Sequence, residues 1–212
     1  MANDPIETAG LVAREVRSGR RDGAETKIAI ARRTYPTGQG DLWDAISNAD
    51  RIHRWFLPIS GDLREGGHFQ LEGNAGGTIE RCRAPDSFNV TWEYGPMTSW
   101  LAVTLRPDAA GTTLELVHEA HVDPDLWGQF GPGAVGLGWD LGLYGLGLHL
   151  ETKAAVDPAH AAAFPSSPEG IALIEAAAAG WAEAAIAAGE ERDAAHAAAQ
   201  LVQAMYTAPP GE

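Results

Sequence analysis

The stretch "GAVGLGWDLGLYGLGLHLE", residues 133–151, decides how the rest of the chain is read. Leucine and glycine dominate it around one central acid, Asp140, so a membrane span, a glycine-rich loop and a helix with a special face all compete for it. On a helical wheel it separates into four stripes. Leu137, Leu141, Tyr144 and Leu148 share one, and Trp139, Leu143, Leu146 and Leu150 a second. Asp140, Gly147 and Glu151 form a third, while Gly138, Gly142 and Gly145, continued by His149, lie between the two apolar lines. A membrane span is apolar all round. This segment instead predicts an amphipathic helix, with Asp140 and Glu151 toward water and a glycine groove at the centre of the buried face. Three interior glycines cost a helix about 2–3 kcal/mol relative to alanine, and something must offset that. Close approach of the helix to a sheet would do so, as would free volume beside the helix for a ligand. A dimer seam at Gly138 and Gly142 is a third reading, and such seams carry weight mainly in lipid.

Upstream of this helix the chain reads as strands separated by turn signals. Residues 27–35 alternate up to Pro36. Residues 66–73 meet the turn "NAGG" before 78–84, and 87–94 are followed by "GPM", 99–107, "DAAG" and 112–120. Between the first two strands, Asp41 is placed to cap a short helix carrying Leu42, Ala45, Ile46 and Ala49. One strand, a helix pair, an antiparallel meander and one long helix make an α+β order with the helix laid on the sheet.

Composition bounds the function. The chain has 212 residues, 45% of them hydrophobic, with a mean hydropathy of −0.17, enough for one sizeable core. Its 29 acids against 15 bases give a formal charge of −14, which repels nucleic-acid phosphates and anionic lipid headgroups. No nucleic-acid partner and no membrane insertion are expected. Cys82 is the single cysteine, and the N-terminus lacks the pattern of a signal peptide, so a cytoplasmic location is expected.

The residues of "RRTYPTGQGDLWDAISNADRIHRWFLP", "GDLREGGHFQLEGNAGGTIERC", "VTWEY", "TTLELVHEA" and "GWDLGL" together resemble the SRPBCC, or START-related, superfamily. Within it, they resemble the branch named for the activator of the heat-shock protein 90 ATPase. The resemblance covers about residues 26–153. It implies a helix-grip fold, in which a curved antiparallel sheet wraps around a long C-terminal helix and leaves a cavity between them. Members of the superfamily bind lipids, sterols, polyketides or other apolar molecules there, and a minority act on them as enzymes.

Strand alternation nominates the wall of such a cavity. Val90, Trp92 and Tyr94 share a face with Phe88, and Leu116 and His118 share one with Leu114. Phe69, Glu80 and Cys82 are candidates on neighbouring strands, as is Trp100, although either face of 99–107 could be the buried one. Trp55 and Phe56 close the helix pair as plugs or entrance residues. The long helix offers Gly138, Trp139, Gly142, Leu143, Gly145 and Leu146. Glu80 and His118 are the one acid/base pair an enzyme would need, and no catalytic residue is assigned. His118 and His121 have metal-like spacing only on a helix, since on a strand they face opposite sides, so no metal is expected. "GNAGG" lacks the lysine and following helix of a phosphate loop and reads as a hairpin turn. Arg81 and Arg83 face away from Cys82 on a strand and do not activate its thiol.

Residues 154–212 extend the common pattern. Ser167 caps a helix with Pro168 at its first position, carrying Ile171, Ile174, Ala178 and Trp181. A second helix over about 191–206 carries Leu201, Val202, Met205 and Tyr206. This alanine-rich hairpin needs a surface to pack on, in its own chain or in a second copy, so monomer and homodimer both remain open. Residues 1–25 form an extension that could add an edge strand, and its charge and glycine mark it as the least ordered part. The sequence therefore reads as a helix-grip protein that binds a small apolar or aromatic ligand without a cofactor. A chaperone partner, through the activity the branch name implies, is the alternative, and an enzyme acting on a cavity-bound substrate is a third.

Overall fold

The computed structural model describes residues 4–208. Asp4 accepts a hydrogen bond from the Ile6 amide at the head of α1 (Pro5–Gly10), and a hairpin of β1 (Ala13–Arg21) and β2 (Ala24–Tyr35) follows. Asp22 and Gly23 join these strands with φ of 52° and 83°, the two positive values of a type I′ turn, which matches the strand twist. Within the N-terminal extension, Ala13–Arg21 thus form a strand at the sheet edge, with Val16 buried on it and Val12 buried just before it.

Next come α2 (Gln39–Ser47) and α3 (Ala49–Ile52), and then β3 (Ile59–Gly61), β4 (His68–Leu71), β5 (Gly76–Arg83), β6 (Ser87–Tyr94), β7 (Met97–Asp108) and β8 (Gly111–Ala120). The cap of α2 is Gly38, one turn earlier than expected. Asp41 lies inside the first turn, where it accepts from Thr37 and binds Arg51 and Lys153. The eight strands form one curved antiparallel sheet in the order β1-β2-β8-β7-β6-β5-β4-β3. The remaining elements are α4 (Pro124–Phe130), α5 (Gly133–Thr152), α6 (Pro158–Ala163), a short 3-10 turn at Phe164–Ser166, α7 (Pro168–Ala187) and α8 (Arg192–Thr207). Ser167 caps α7 by accepting from the Gly170 amide at 3.0 Å. The architecture is the α+β helix-grip arrangement.

The chain divides into two compact units. The central unit comprises Arg32–Ala120 and Gly145–Val156. The terminal unit comprises the segment up to Ala31, His121–Tyr144 and the segment from Asp157 onward. Helix α5 contributes Gly133–Tyr144 to the terminal unit and Gly145–Thr152 to the central one.

In the terminal unit, Asp140 is 5% exposed and does not face water. Arg14 meets it with Nη2 at 2.6 Å and Nε at 3.2 Å, and the Trp181 indole donates to it at 2.7 Å. The wheel misplaced this acid because α7 covers the face it lies on, and a bidentate guanidinium makes a carboxylate tolerable there. Two glycines make the lock possible. A Cβ on Gly136 would run into the Trp181 indole, and one on Gly180 would lie 2.7 Å from Arg14 Nη1. Helix α7 is long and apolar enough to cross a membrane by length and composition, and its stripe of Leu173, Ile174, Ala177, Ala178 and Trp181 is buried within this unit.

Candidate functional site: the inner face of the central unit

Pairing across the meander fixes which side chains share a face, because directly opposed residues of antiparallel strands point the same way. Val90 opposes Leu101, Leu101 opposes His118 and Val103 opposes Leu116. Leu101, Val103 and Leu105 are buried with Leu114, Leu116 and His118, so this is the inner face. Trp100 opposes Thr91 and Glu119 and therefore lies on the other side of the sheet, off the candidate wall. Tyr94 is at the tip of the β6–β7 hairpin and 52% exposed, so it leaves the wall as well.

Strand β5 corrects a third assignment. A bulge between Ile79 and Arg81 shifts its register, so that Ile79 opposes Val90 and Cys82 opposes Phe88. Ile79 and Cys82 then face inward, while Glu80 falls in the bulge and is exposed. Glu80 does not share the inner face with His118, which removes the acid/base pair.

The inner face carries an alternation of large and small residues at the hairpin end. Phe69 on β4 opposes Gly77, and Trp92 on β6 opposes Ser99. The rings of Phe69 and Trp92 are 6.1 Å apart, and those of Trp92 and His118 6.5 Å apart in an edge arrangement. Small residues on β5 and β7 let three rings from alternate strands meet in one row. Ser99 was missed from sequence because the face of β7 was undecided, and its spacing from Leu101 and Val103 is the signal that would have found it.

His118 and Ser99 form the polar element of this wall. His118 Nε2 is 2.8 Å from Ser99 Oγ, and the Ser99 hydroxyl donates to the Trp92 carbonyl at 3.1 Å. A hydroxyl has one proton, so with that proton on Trp92 it is the imidazole Nε2–H that donates to Ser99. The pair is arranged as a donor relay and not as a nucleophile with its base. Burial pushes the His118 imidazole down to about 4, so it is neutral at physiological pH.

The helix pair and the second half of α5 complete the site in this unit. The Trp55 indole donates to the Ala45 carbonyl at 2.9 Å and packs on Phe56 with centroids 5.4 Å apart. A Cβ on Gly145 would lie 2.7 Å from the Trp55 carbonyl oxygen, and one on Gly147 would lie 2.7 Å from Arg33 Nη2. These glycines serve close approach. Gly138, in the terminal unit, faces the Tyr206 hydroxyl at 3.2 Å from an added Cβ, so neither Gly138 nor Gly145 opens free volume. Leu146 and Leu150 are buried in the central unit, and Trp139, Gly142 and Leu143 belong to the terminal unit with Gly138.

The helix pair is tied to the end of α5 by polar contacts that run from buried His149 out to the surface at Lys153. His149, 1% exposed, has Nδ1 2.8 Å from the Ala154 carbonyl and Nε2 3.3 Å from Arg51 Nε. Arg51 also bonds Asp41 at 2.7 Å and Asp44 at 3.0 Å, and Lys153 bonds Asp41 at 2.7 Å. Burial alone would raise the Asp41 carboxyl, but hydrogen bonds from Lys153, Arg51 and Thr37 outweigh it and hold the group well below the usual range.

The curved sheet, the long helix and an apolar inner face define a helix-grip protein of the ligand-binding type. Residues 37–141 match the sequence model of the family described as activator of Hsp90 ATPase homolog 1-like protein. CalU16 of Micromonospora echinospora is similar along most of its length. Its solution structure is 30% identical with a TM-score of 0.70, covering 84% of this chain and 97% of that one. Its crystal structure is 33% identical with a TM-score of 0.59, covering 67% and 87%. Protein MLL2253 of Mesorhizobium loti, 18% identical over 58% of this chain and 96% of its own with a TM-score of 0.52, shares the fold alone. No curated protein is significantly similar to the chain. The chain belongs to the SRPBCC superfamily, in its activator of Hsp90 ATPase homolog 1-like family.

Proposed function

We propose that the chain binds a small, uncharged apolar or aromatic molecule without transforming it, between the inner face of the sheet and the Gly145–Thr152 half of α5. The observation that carries this reading is the row of Phe69, Trp92 and His118 with Ser99 beside it. Aromatic faces supply most of the contact energy to such a ligand, and one hydrogen-bonding pair orients it. A neutral His118 keeps charge off the wall, which favours an uncharged ligand over a charged one. The resemblance to the Hsp90 ATPase activator family rests on core and turn residues, and such residues specify a fold before they specify a partner.

Native mass spectrometry of gently purified protein, before and after incubation with N-phenyl-1-naphthylamine, tests the reading. The expected result is a noncovalent adduct, acquired from the host or from the added probe, that is released on unfolding. A bare chain under both conditions would overturn it.

A further inference from the structure

A separate pocket of about 50 Å3 lies inside the terminal unit. Trp127 and Phe130 of α4, Trp181 and Ala182 of α7, and Ala195 and Ala198 of α8 are among its walls, and Glu190 in the α7–α8 turn is the one charged residue among the described residues that line it. The space exists because both helices present alanine where larger side chains would meet. Both indole N–H groups are engaged, Trp181 with Asp140 at 2.7 Å and Trp127 with Glu190 at 2.8 Å, so their rings offer apolar surface. A volume of this size holds roughly three to five water-sized groups.

The chain itself displays the chemistry that the rim accepts. The Lys27 ammonium sits 2.9 Å from Glu190 Oε1 and 4.8 Å from the centroid of the Trp127 ring, a carboxylate and an aromatic face on one cation. The bonds from Trp127 and Lys27 both fall on Oε1. The Lys27 and Glu190 side chains remain 29% and 36% exposed, and pairs so exposed are worth about 0–1 kcal/mol, which makes this one exchangeable. The net charge of −14 concentrates cations around the molecule.

We propose that this pocket is a second binding site, for a short aliphatic ammonium whose head rests on Glu190 and whose alkyl chain fills the alanine-lined space. The site is independent of the inner face of the sheet. Its test is a titration of the full-length chain with n-butylammonium chloride, followed through the indole N–H resonances of Trp127 and Trp181, with n-butanol and potassium chloride as controls. The expected result is a saturable shift with the amine about two- to fivefold tighter than with n-butanol, the range that an ion pair as exposed as this one supplies. Glu190→Gln should reduce the amine to the affinity of n-butanol, and Ala195→Leu should remove both. No saturable shift beyond that of potassium chloride, equal affinity for amine and alcohol, or unchanged amine affinity in Glu190→Gln would overturn the proposal. Should Ala195→Leu fail to fold, the alcohol comparison and Glu190→Gln carry the test alone.

Discussion

His118 concentrates the chemistry of the inner face, and burial sets its character. Its imidazole is held at about 4 against an ordinary 6.5. Between these values the unfolded chain binds a proton that the native chain does not, so stability falls as pH drops through this window. The loss from this residue approaches about 3 kcal/mol by pH 4. Urea unfolding at a series of pH values checks it: His118→Gln should flatten the slope between pH 6.5 and 4, and an unaltered slope would show that His118 protonates as readily folded as unfolded. The inward position of His118 was legible from its alternation with Leu114 and Leu116. The exposure of Glu80 was not, because a bulge adds one residue between ladder pairs and hydrophobic alternation does not reveal it. Trp100 shows the related limit, since both faces of β7 carry apolar residues.

At the scale of elements, α5 is where the two explanations of the glycine stripe separate. Gly145 stands against the Trp55 carbonyl and Gly147 against the Arg33 guanidinium. Gly145→Ala gains helix propensity of about 1 kcal/mol but forces a methyl onto backbone, so a net destabilisation of about 1–3 kcal/mol is expected in thermal unfolding. A raised Tm would instead reveal free space at that position. The helix itself, its extent and its glycines were legible from sequence. The burial of Asp140 was not, because the wheel describes one helix and the covering surface comes from β1 and α7, more than a hundred residues from one another in sequence. Asp140→Asn leaves Arg14 buried opposite a neutral group and should destabilise by about 3–5 kcal/mol, whereas Arg14→Met combined with Asp140→Leu should recover only part of that loss, because the Trp181 indole N–H then has no acceptor there. A double-mutant cycle in chemical unfolding measures this coupling, and additive effects would show that the two side chains act separately. The β1–β2 hairpin carried a legible signal of its own, Asp22-Gly23 between strands, which the charge of the segment obscured.

For the whole molecule, the meander, the long helix and the helical hairpin after Ser167 follow from periodicity, turn residues and caps, and these are local signals. The division of α5 between two units is a product of tertiary packing, which no single stretch encodes. The proposed ligand lies against the inner face of the sheet. Isotope-filtered nuclear Overhauser spectroscopy of the labelled chain with N-phenyl-1-naphthylamine tests this most directly. The expected result is a set of contacts from the probe rings to side-chain protons of Trp92, Leu101 and Leu116. A bound probe whose contacts all fall on residues outside that face would contradict it.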